Sequence, residues 1–365
     1  MPPLAEFIPY LERIWGSEQL TNDGKFHQEL EFALSNYLNV KHLSLCSSGT
    51  TGLLLAIHSL KLTGEIITTP YSFVATSHSL LWNNLTPVFI DIDPITFNID
   101  PQKIEAAITS KTSAILGVHC YGNPCDTKAI QLIASQYGLK VLYDAAHAFG
   151  VKTSSGSILN EGDMSVLSLH ATKAFTTLEG GAIITSSAED RGKVNTLKNF
   201  GIISETEVID IGINGKMNEV QAAFGLLQLQ YADYIMDRRK EIDRLYRTLL
   251  CDLEHIQCMD QNPDTTYNHS YFPIFFNKNC PVKRDEIYHE LKQNNVFSRR
   301  YFYPLISNYE MYKNIETANP KNLPIANQVA NQVLCLPIYP QLTNSEIEFI
   351  ALVIRRKYHG RLQIK

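Results

Sequence analysis

One lysine stands among small hydroxylated residues in the segment SLHATKAFTTLEGG, which runs from Ser168 to Gly181. Lys173 follows the apolar, strand-like stretch SVLSL and precedes a second one, AIIT. Surface lysines usually have charged neighbours and good helix formers around them, and this one has neither. A lysine in a pocket with a lowered pKa can form a Schiff base with an aldehyde. The setting of Lys173 therefore predicts an amine held in a fixed place inside a cleft.

Two more segments place reactive groups where apolar stretches end. In CSSGTTGL, Gly49 and Thr50 stand where a helix should begin, and free N–H groups at a helix N-terminus bind phosphate. A plain helix cap is an equal alternative there, because serine and threonine favour that position. KVLYD ends in Asp144, whose burial costs free energy unless a positive group, such as a protonated cofactor ring, meets it. A helix-capping role is the alternative for Asp144, and a core role is the alternative for the nearby His147.

Taken together, these groups match the needs of one cofactor. Pyridoxal phosphate (PLP) requires a lysine, a phosphate cradle and an acidic partner for its pyridine nitrogen. The sequence offers Lys173, the SSGT segment and Asp144 at three separate strand ends. Ligands of open parallel sheets bind beyond the carboxyl ends of the strands. The combination predicts a single PLP site with no metal.

The elements that must position this site alternate between strand-like and helix-like stretches. Helical spacing runs from Phe26 to Tyr37, and then HLSLC, EIITT, PVFIDID and SAILGVH are each followed by a helix-like segment. Such alternation predicts an α/β fold with a mostly parallel central sheet and helices on both faces. A long helix from about Met217 to Leu250 should lead into a smaller C-terminal α+β domain. We expect an N-terminal arm over residues 1–20, a large PLP-binding domain over 21–235 and the small domain over 236–365.

Composition excludes several function classes. Of 365 residues, 44% are hydrophobic and 19% are charged, and the net charge is -5, which argues against nucleic-acid binding. No apolar stretch reaches the length of a membrane span, and the early acidic residues do not fit a signal peptide. Among seven cysteines the closest pair, Cys120 and Cys125, does not form a CxxC motif. We therefore expect a cytoplasmic protein with reduced thiols.

Five segments give the chain a recognisable resemblance over nearly its whole length. They are SSGT at 47–50, TTPYSFVAT at 68–76, YDAAHAFG at 143–150, SLHATKAFTTLEGG at 168–181 and GINGKMNEVQAAFG at 212–225. The chain resembles the fold-type-I PLP-dependent sugar aminotransferases of the DegT/StrS type, which aminate nucleotide-linked keto-sugars. YGNPCD, YDAAHAFGV and SFVATSHSLLW are similar to members that make dTDP-4-amino-4,6-dideoxyglucose. The resemblance implies dTDP-4-keto-6-deoxyglucose as the acceptor and L-glutamate as the donor, with a 3-keto-sugar as the alternative acceptor.

The resemblance also assigns roles to residues of this sequence. Lys173 would bind the cofactor and move a proton between it and the substrate carbon, and Asp144 would pair with the pyridinium nitrogen. PLP would alternate with pyridoxamine phosphate in the half-reactions. The remaining cofactor contacts would be Phe73 and His147 at the ring, and Gly49, Thr50 and Ser168 at the phosphate.

Further residues would act at the partner subunit or the substrate. Asn214 would reach the cofactor phosphate of the neighbouring subunit, so that the homodimer is the working unit. Substrate contacts are expected in SRRYFYPL, at Arg299, Tyr301 and Tyr303. The sequence departs from the family pattern at two places. The chain starts at Met1, which implies a shortened N-terminal contact in the dimer. Leu169 stands where phenylalanine is common. Lysine at position 173 favours amino transfer over the dehydratases of the same family, which carry histidine there.

Three other functions compete with this interpretation. Asp91-Ile92-Asp93 forms a DxD motif after a strand, as in metal-dependent glycosyltransferases, although such carboxylates are more often turn residues. A nicotinamide-dependent oxidoreductase is disfavoured because the chain has no GxGxxG motif. A non-catalytic binding protein is disfavoured by the presence of both Lys173 and Asp144.

Overall fold

The helices of the computed structural model, which describes residues 1–362, follow the expected alternation with strands closely. Thr127–Tyr137 is a helix with the bounds that its apolar spacing predicts, and Asp126 caps it by accepting from the Ala129 N–H at 3.0 Å. The helices are α1 (Leu4–Ser17), α2 (Lys25–Leu38), α3 (Gly49–Ser59), α4 (Ala75–Trp82), α5 (Pro101–Ile104), α6 (Thr127–Tyr137), α7 (Ala188–Leu197), α8 (Glu219–Leu229), α9 (Ala232–Leu250), α10 (Arg284–Gln293), α11 (Pro324–Gln332) and α12 (Asn344–Leu362).

The strands are short, and those in the main sheet are buried apart from at most two residues at one end. They are β1 (Leu43–Cys46), β2 (Glu65–Thr68), β3 (Thr86–Phe89), β4 (Thr112–Val118), β5 (Lys140–Asp144), β6 (Lys152–Thr153), β7 (Gly156–Ser157), β8 (Met164–Ser168), β9 (Gly181–Thr185), β10 (Ile202–Ser204), β11 (Glu207–Val208), β12 (Ile256–Cys258), β13 (Phe272–Phe276) and β14 (Val333–Leu336). Continuous burial explains why these stretches are apolar throughout instead of alternating with polar residues.

Seven strands form the central sheet of the described residues, in the order β1-β9-β8-β5-β4-β2-β3. The strands β3, β2, β4, β5 and β8 are parallel to one another, whereas β9 runs antiparallel to both β8 and β1. Successive residues of β9 serve opposite faces: Ile183 packs in the cluster that contains residues of α3, and Ile184 packs in the cluster that contains Leu30 of α2. Helices thus cover both faces, and the predicted α/β fold is confirmed.

A second sheet follows, with β12, β13 and β14 all antiparallel. Side chains of α9, α10 and α12 pack on it in a separate hydrophobic cluster that includes Tyr246, Ile287 and Ile350. This is the smaller C-terminal α+β unit that the sequence predicts. The boundaries expected after residues 20 and 235 stay predictions.

The single long helix expected from Met217 to Leu250 is wrong, because the structure has two helices, α8 and α9, with a break at Gln230 and Tyr231. The reason lies in what each helix packs against. On α8, Gly225 lies so close to α2 that an added Cβ would be 2.7 Å from the Leu30 side chain, whereas α9 contributes to the cluster on the second sheet. The break allows α8 to pack in the cluster that contains Leu30 and α9 to pack in the cluster on the second sheet, although the helical pattern of the sequence is continuous.

Candidate active site

The carboxyl ends of β5 and β8 and the N-terminus of α3 meet around a cavity of about 250 Å³. The structure brings most of the predicted site residues together there, as a parallel sheet requires of side chains at the ends of its strands. The predicted residues that line this cavity are Gly49, Thr50, Phe73, Asp144, His147, Ser168, Lys173 and Tyr301.

Lys173 lies in the connection between β8 and β9, where its backbone N–H donates to the carbonyl of His170 at 2.9 Å. Its Nζ donates to the hydroxyl of Tyr271 at 3.3 Å. Burial lowers the pKa of Lys173 to about 8, although the charge of Asp144 opposes this change. A sizeable fraction of the side chain is therefore a free amine in mildly alkaline solution, as a nucleophilic lysine requires.

Asp144 is the last residue of β5 and is only 5% exposed. Its Oδ2 accepts a hydrogen bond from the hydroxyl of Thr76 at 2.6 Å, and its Oδ1 accepts one from the N–H of Ala146 at 3.1 Å. Burial raises the pKa of Asp144, while these two hydrogen bonds and the charge of Lys173 oppose the increase. The carboxylate is held on both oxygens, and a cationic group in the cavity would stabilise its charged form further.

His147 lies beside Asp144 in the cavity and has a defined tautomer. Its Nδ1 accepts a hydrogen bond from the N–H of Tyr121 at 3.1 Å, which leaves the ring proton on Nε2. The ring stacks on Phe302 with an interplanar angle of 3°. Burial and the nearby charge of Lys173 lower the pKa of His147 well below its ordinary value. His147 is thus a neutral hydrogen-bond donor at Nε2.

The N-terminus of α3 combines a helix cap with two amides that are not used by the helix. Ser48 is the cap, because its hydroxyl accepts a hydrogen bond from the N–H of Thr51 at 3.0 Å. For this residue of the SSGT segment, the helix-cap alternative is therefore correct. The amides of Gly49 and Thr50 lie in the first turn, where no earlier helical carbonyl can accept from them. A Cβ at Gly49 would be 2.9 Å from the Cβ of Ser168, so only glycine allows this close approach between α3 and β8. The cap at Ser48 therefore leaves the amides of Gly49 and Thr50 available to an anion.

Three of the predicted residues do not line the cavity. Asn214 is exposed and pairs with Asn199 in an isolated bridge. Arg299 is exposed, and its N–H donates to the carbonyl of Cys335 at 3.0 Å. The ring of Tyr303 lies against the guanidinium of Arg284, 4.7 Å from its centroid. Phe73 does line the cavity but is 56% exposed at its open side.

Sequence reasoning missed several residues that contact or line the site, among them Thr76, Tyr271 and Phe302. Thr76 could have been found, since it is a hydroxylated residue of the segment TTPYSFVAT that also carries Phe73. Tyr271 directly precedes β13, and Phe302 lies in the predicted substrate segment. Nothing in the local sequence connects either aromatic residue with Lys173, because both reach the cavity from the C-terminal part of the chain.

The DxD motif has a structural role instead of a metal-binding one. Asp91 is fully buried and accepts hydrogen bonds from the N–H groups of Ile325 and Ala326, at 2.9 and 2.7 Å, in the first turn of α11. Asp93 accepts from the N–H of Thr96 at 2.7 Å and so closes a turn. Within residues 1–362, no group of three or more His, Cys, Asp or Glu side chains is arranged to hold a metal ion. Both carboxylates are thus engaged in hydrogen bonds that stabilise the fold.

Two other sequence expectations concern the whole chain. All seven cysteines are free, as expected. In the part of the chain that the structure describes, every helix is too short or too polar to cross a membrane.

Comparisons with known proteins agree with the geometry. The model of the DegT/DnrJ/EryC1/StrS aminotransferase family matches residues 4–355. The chain is 52% identical over 356 residues to dTDP-4-amino-4,6-dideoxy-D-glucose transaminase of Shigella dysenteriae, covering 97% of this chain and 96% of that one. It is 53% identical over 348 residues to the Escherichia coli protein of the same name, covering 95% and 94%. A crystal structure of DesI in the presence of its TDP-sugar product superposes with a TM-score of 0.94 at 34% identity, covering 100% of this chain and 93% of that one.

Proposed function

Because the chain belongs to the DegT/DnrJ/EryC1/StrS aminotransferase family, we propose that it transfers an amino group from L-glutamate to C4 of dTDP-4-keto-6-deoxyglucose, with PLP as cofactor. The observation that carries this proposal is the meeting of Lys173, Asp144 and the N-terminus of α3 at one cavity. The choice of sugar is supported by the identity of 52% to the Shigella transaminase over nearly the whole length. No comparable similarity favours a 3-keto-sugar or a glycosyl transfer.

The residues present fit PLP in three independent respects. The buried carboxylate of Asp144 suits a cationic ring nitrogen, the lowered pKa of Lys173 suits an aldehyde, and the close approach at Gly49 suits a phosphate. When bound, PLP supplies an electron-withdrawing ring that stabilises negative charge on the substrate carbon. The orientation of the substrates and the transfer of protons must come from the chain itself.

Lys173 is the group that can move a proton. With a pKa of about 8 it exists as both amine and ammonium in mildly alkaline solution, so it can accept a proton in one half of the reaction and return it in the other. Asp144 remains ionised opposite a cationic partner, and its hydrogen bonds from Thr76 and Ala146 fix its orientation. His147 offers a fixed N–H donor at Nε2 for an oxygen atom of the bound molecule.

Binding of the phosphate would use the N–H groups of Gly49 and Thr50 and the hydroxyl of Ser168, supported by the dipole of α3. Phe73 would cover the ring from the open side of the cavity. Arg299, Tyr301 and Tyr303 would contact the sugar nucleotide. Of these three residues only Tyr301 lines the cavity, so the proposal requires the substrate to extend outward along the segment that carries the other two.

The protein would act as a homodimer in which Asn214 binds the cofactor phosphate of the other subunit. The surface near Asn214 supports this, because β10, β11 and the loop that follows expose many large apolar side chains. They are Phe200, Ile202, Ile203, Val208, Ile209, Ile211 and Ile213. Exposed apolar patches of this kind mark protein interfaces.

One experiment tests the reaction directly. The purified protein is incubated with PLP, L-glutamate and a panel of nucleotide-linked keto-sugars, and the position of the new amine is determined by NMR. We expect the 4-amino sugar from dTDP-4-keto-6-deoxyglucose, and borohydride reduction should fix the cofactor on the peptide that contains Lys173. A strong preference for a 3-keto-sugar would contradict the assignment of the sugar but not that of the enzyme class.

A further inference from the structure

We propose that Tyr271 is a positioning residue for Lys173: the Tyr271 hydroxyl keeps the lysine amine in place during proton transfer. This inference rests on the proposed function. The Tyr271 hydroxyl lies 3.3 Å from Nζ of Lys173, and no other side chain within residues 1–362 hydrogen-bonds to that nitrogen. A lysine side chain is flexible and loses considerable rotamer freedom when it is held. A partner that binds Nζ both as an ammonium group and as an amine would keep the side chain ordered throughout, so its rotamer freedom would not have to be lost again at each proton transfer.

A neutral phenol is suited to this task. A hydroxyl can accept a hydrogen bond from an ammonium group and can rotate to donate one to an amine. Burial raises the pKa of Tyr271, so the hydroxyl keeps its own proton at any pH at which Lys173 titrates. A carboxylate in the same place would favour the ammonium form strongly, and an aliphatic side chain would hold neither form.

The position of Tyr271 is fixed by the residues around it. Its ring packs on that of His147, with centroids 4.6 Å apart. Asn268, which is 1% exposed, donates from Nδ2 to the carbonyls of His147 and Phe149, both at 2.8 Å. The Oδ1 of Asn268 accepts from the N–H of Ser270 at 3.1 Å. One asparagine therefore joins the segment before Tyr271 to the segment that carries His147.

Arg239 of α9 holds the same segment from the other side. Its Nη1 donates to the carbonyls of His269, Ser270 and Ile338, at 3.3, 3.2 and 2.9 Å. The side chain is 5% exposed, and burial lowers its pKa to about 10. These contacts lie away from the cavity, so the restraint on Tyr271 is part of the fold and does not depend on a bound ligand.

The effect of Tyr271 can be separated from that of the other groups near Lys173. The titratable side chains that line the cavity with Lys173 are Asp144, His147, His170, Glu179, Tyr271 and Tyr301. Tyr271→Phe removes one hydroxyl and leaves the remaining groups unchanged. Both forms of Lys173 then lose a hydrogen bond, but the one to the charged ammonium form is the stronger, so the pKa of Lys173 should fall further below the value of about 8 in the wild type.

The test uses the cofactor-free protein, so that it does not depend on catalysis. Competitive acetylation over a pH series, followed by peptide mass spectrometry, gives the pKa of each lysine separately. We expect Tyr271→Phe to lower the pKa of Lys173 by about one pH unit, since hydrogen bonds to charged groups are worth about 1.5–3 kcal/mol and part of that is returned by water. The other lysines should be unchanged and serve as a check on the fold.

Tyr267→Phe is the matched control. It removes a hydroxyl from the same segment, but that hydroxyl bonds to Asn262 and Asn123 and does not line the cavity. The pKa of Lys173 should be unchanged in this variant. Asn268→Ala provides a second route, because it releases the segment and keeps the hydroxyl; it should lower the pKa of Lys173 in the same direction by less.

In the PLP-loaded enzyme, Tyr271→Phe should reduce kcat by roughly 10- to 100-fold with little change in KM, because a misplaced reacting group costs rate more than binding. An unshifted Lys173 pKa in Tyr271→Phe, or an equal shift in Tyr267→Phe, would overturn the inference. If the shift occurs but the protein neither binds PLP nor aminates a keto-sugar, the proposed function fails and the coupling between Tyr271 and Lys173 stands.

Discussion

Asp144→Asn is the substitution that separates a catalytic carboxylate from a structural one. The amide has nearly the same shape as the carboxylate, and its oxygen can still accept from the N–H of Ala146. On the other side the amide NH₂ can donate to the hydroxyl of Thr76, which is free to turn towards Ser72 at 2.7 Å. We therefore expect the fold and the binding of PLP to survive.

The size of the effect follows from the loss of one charge. A hydrogen bond between charged groups is worth about 1.5–3 kcal/mol, and 1.36 kcal/mol corresponds to a factor of ten in rate, so kcat should fall roughly 10- to 160-fold. Thr76→Val is the matched control, because it removes a hydrogen bond to the same carboxylate and leaves the charge in place. Its effect on kcat should be well below that of Asp144→Asn.

The assay has two parts. Absorbance titration with PLP gives the affinity, and single-turnover reaction with L-glutamate gives the rate of the first half-reaction without product release. Near-normal turnover by Asp144→Asn, with PLP bound, would refute the argument and reduce Asp144 to a structural residue that only ties β5 to α4.

Three other changes test separate parts of the site. Gly49→Ala should weaken PLP binding roughly tenfold in an absorbance titration, since the added Cβ lies 2.9 Å from the Cβ of Ser168 and overpacking costs about 1–3 kcal/mol. Gly192→Ala, where a Cβ meets nothing within 4 Å, is the control and should bind PLP normally. Equal effects of the two substitutions would contradict a phosphate site at Gly49. Lys173→Met should raise the melting temperature of the cofactor-free protein below about pH 8, where the buried ammonium group of Lys173 destabilises the fold. This gain should vanish as the pH rises through 8 towards 10.5, the ordinary pKa of lysine. A gain that does not depend on pH would mean that the charge of Lys173 is not responsible. Lys173→Ala and Asn214→Asp homodimers should each be impaired, and mixing them under subunit exchange should restore about a quarter of wild-type activity, because half of the dimers then contain one intact site. No recovery despite demonstrated exchange would remove Asn214 from the partner's site.

The sequence predicts the parts of this molecule that depend on local pattern. The strand KVLYD and the helix Thr127–Tyr137 appear with the bounds that their apolar spacing indicates, and Asp144 and Lys173 follow from their places at strand ends. Periodicity could not show the break between α8 and α9, because the pattern stays helical while the packing partner changes. Tyr271 escaped detection because it lies 98 residues from Lys173, and only the folded chain brings the two together.

The buried carboxylate of Asp91 makes the end of β3 depend on a helix more than two hundred residues later in the chain. If α11 were removed, Lys103, 3.3 Å away, would be the one cationic partner left to Asp91 in the described part of the chain. An uncompensated buried charge costs several kcal/mol, which is comparable to the whole stability of many proteins. The part of the chain that carries Lys173 and Asp144 should therefore not survive as a stable fragment once the chain is cut before α11. Limited proteolysis between β13 and α11 should expose the remaining part to rapid digestion, and expression of truncated chains that stop before α11 should yield aggregates.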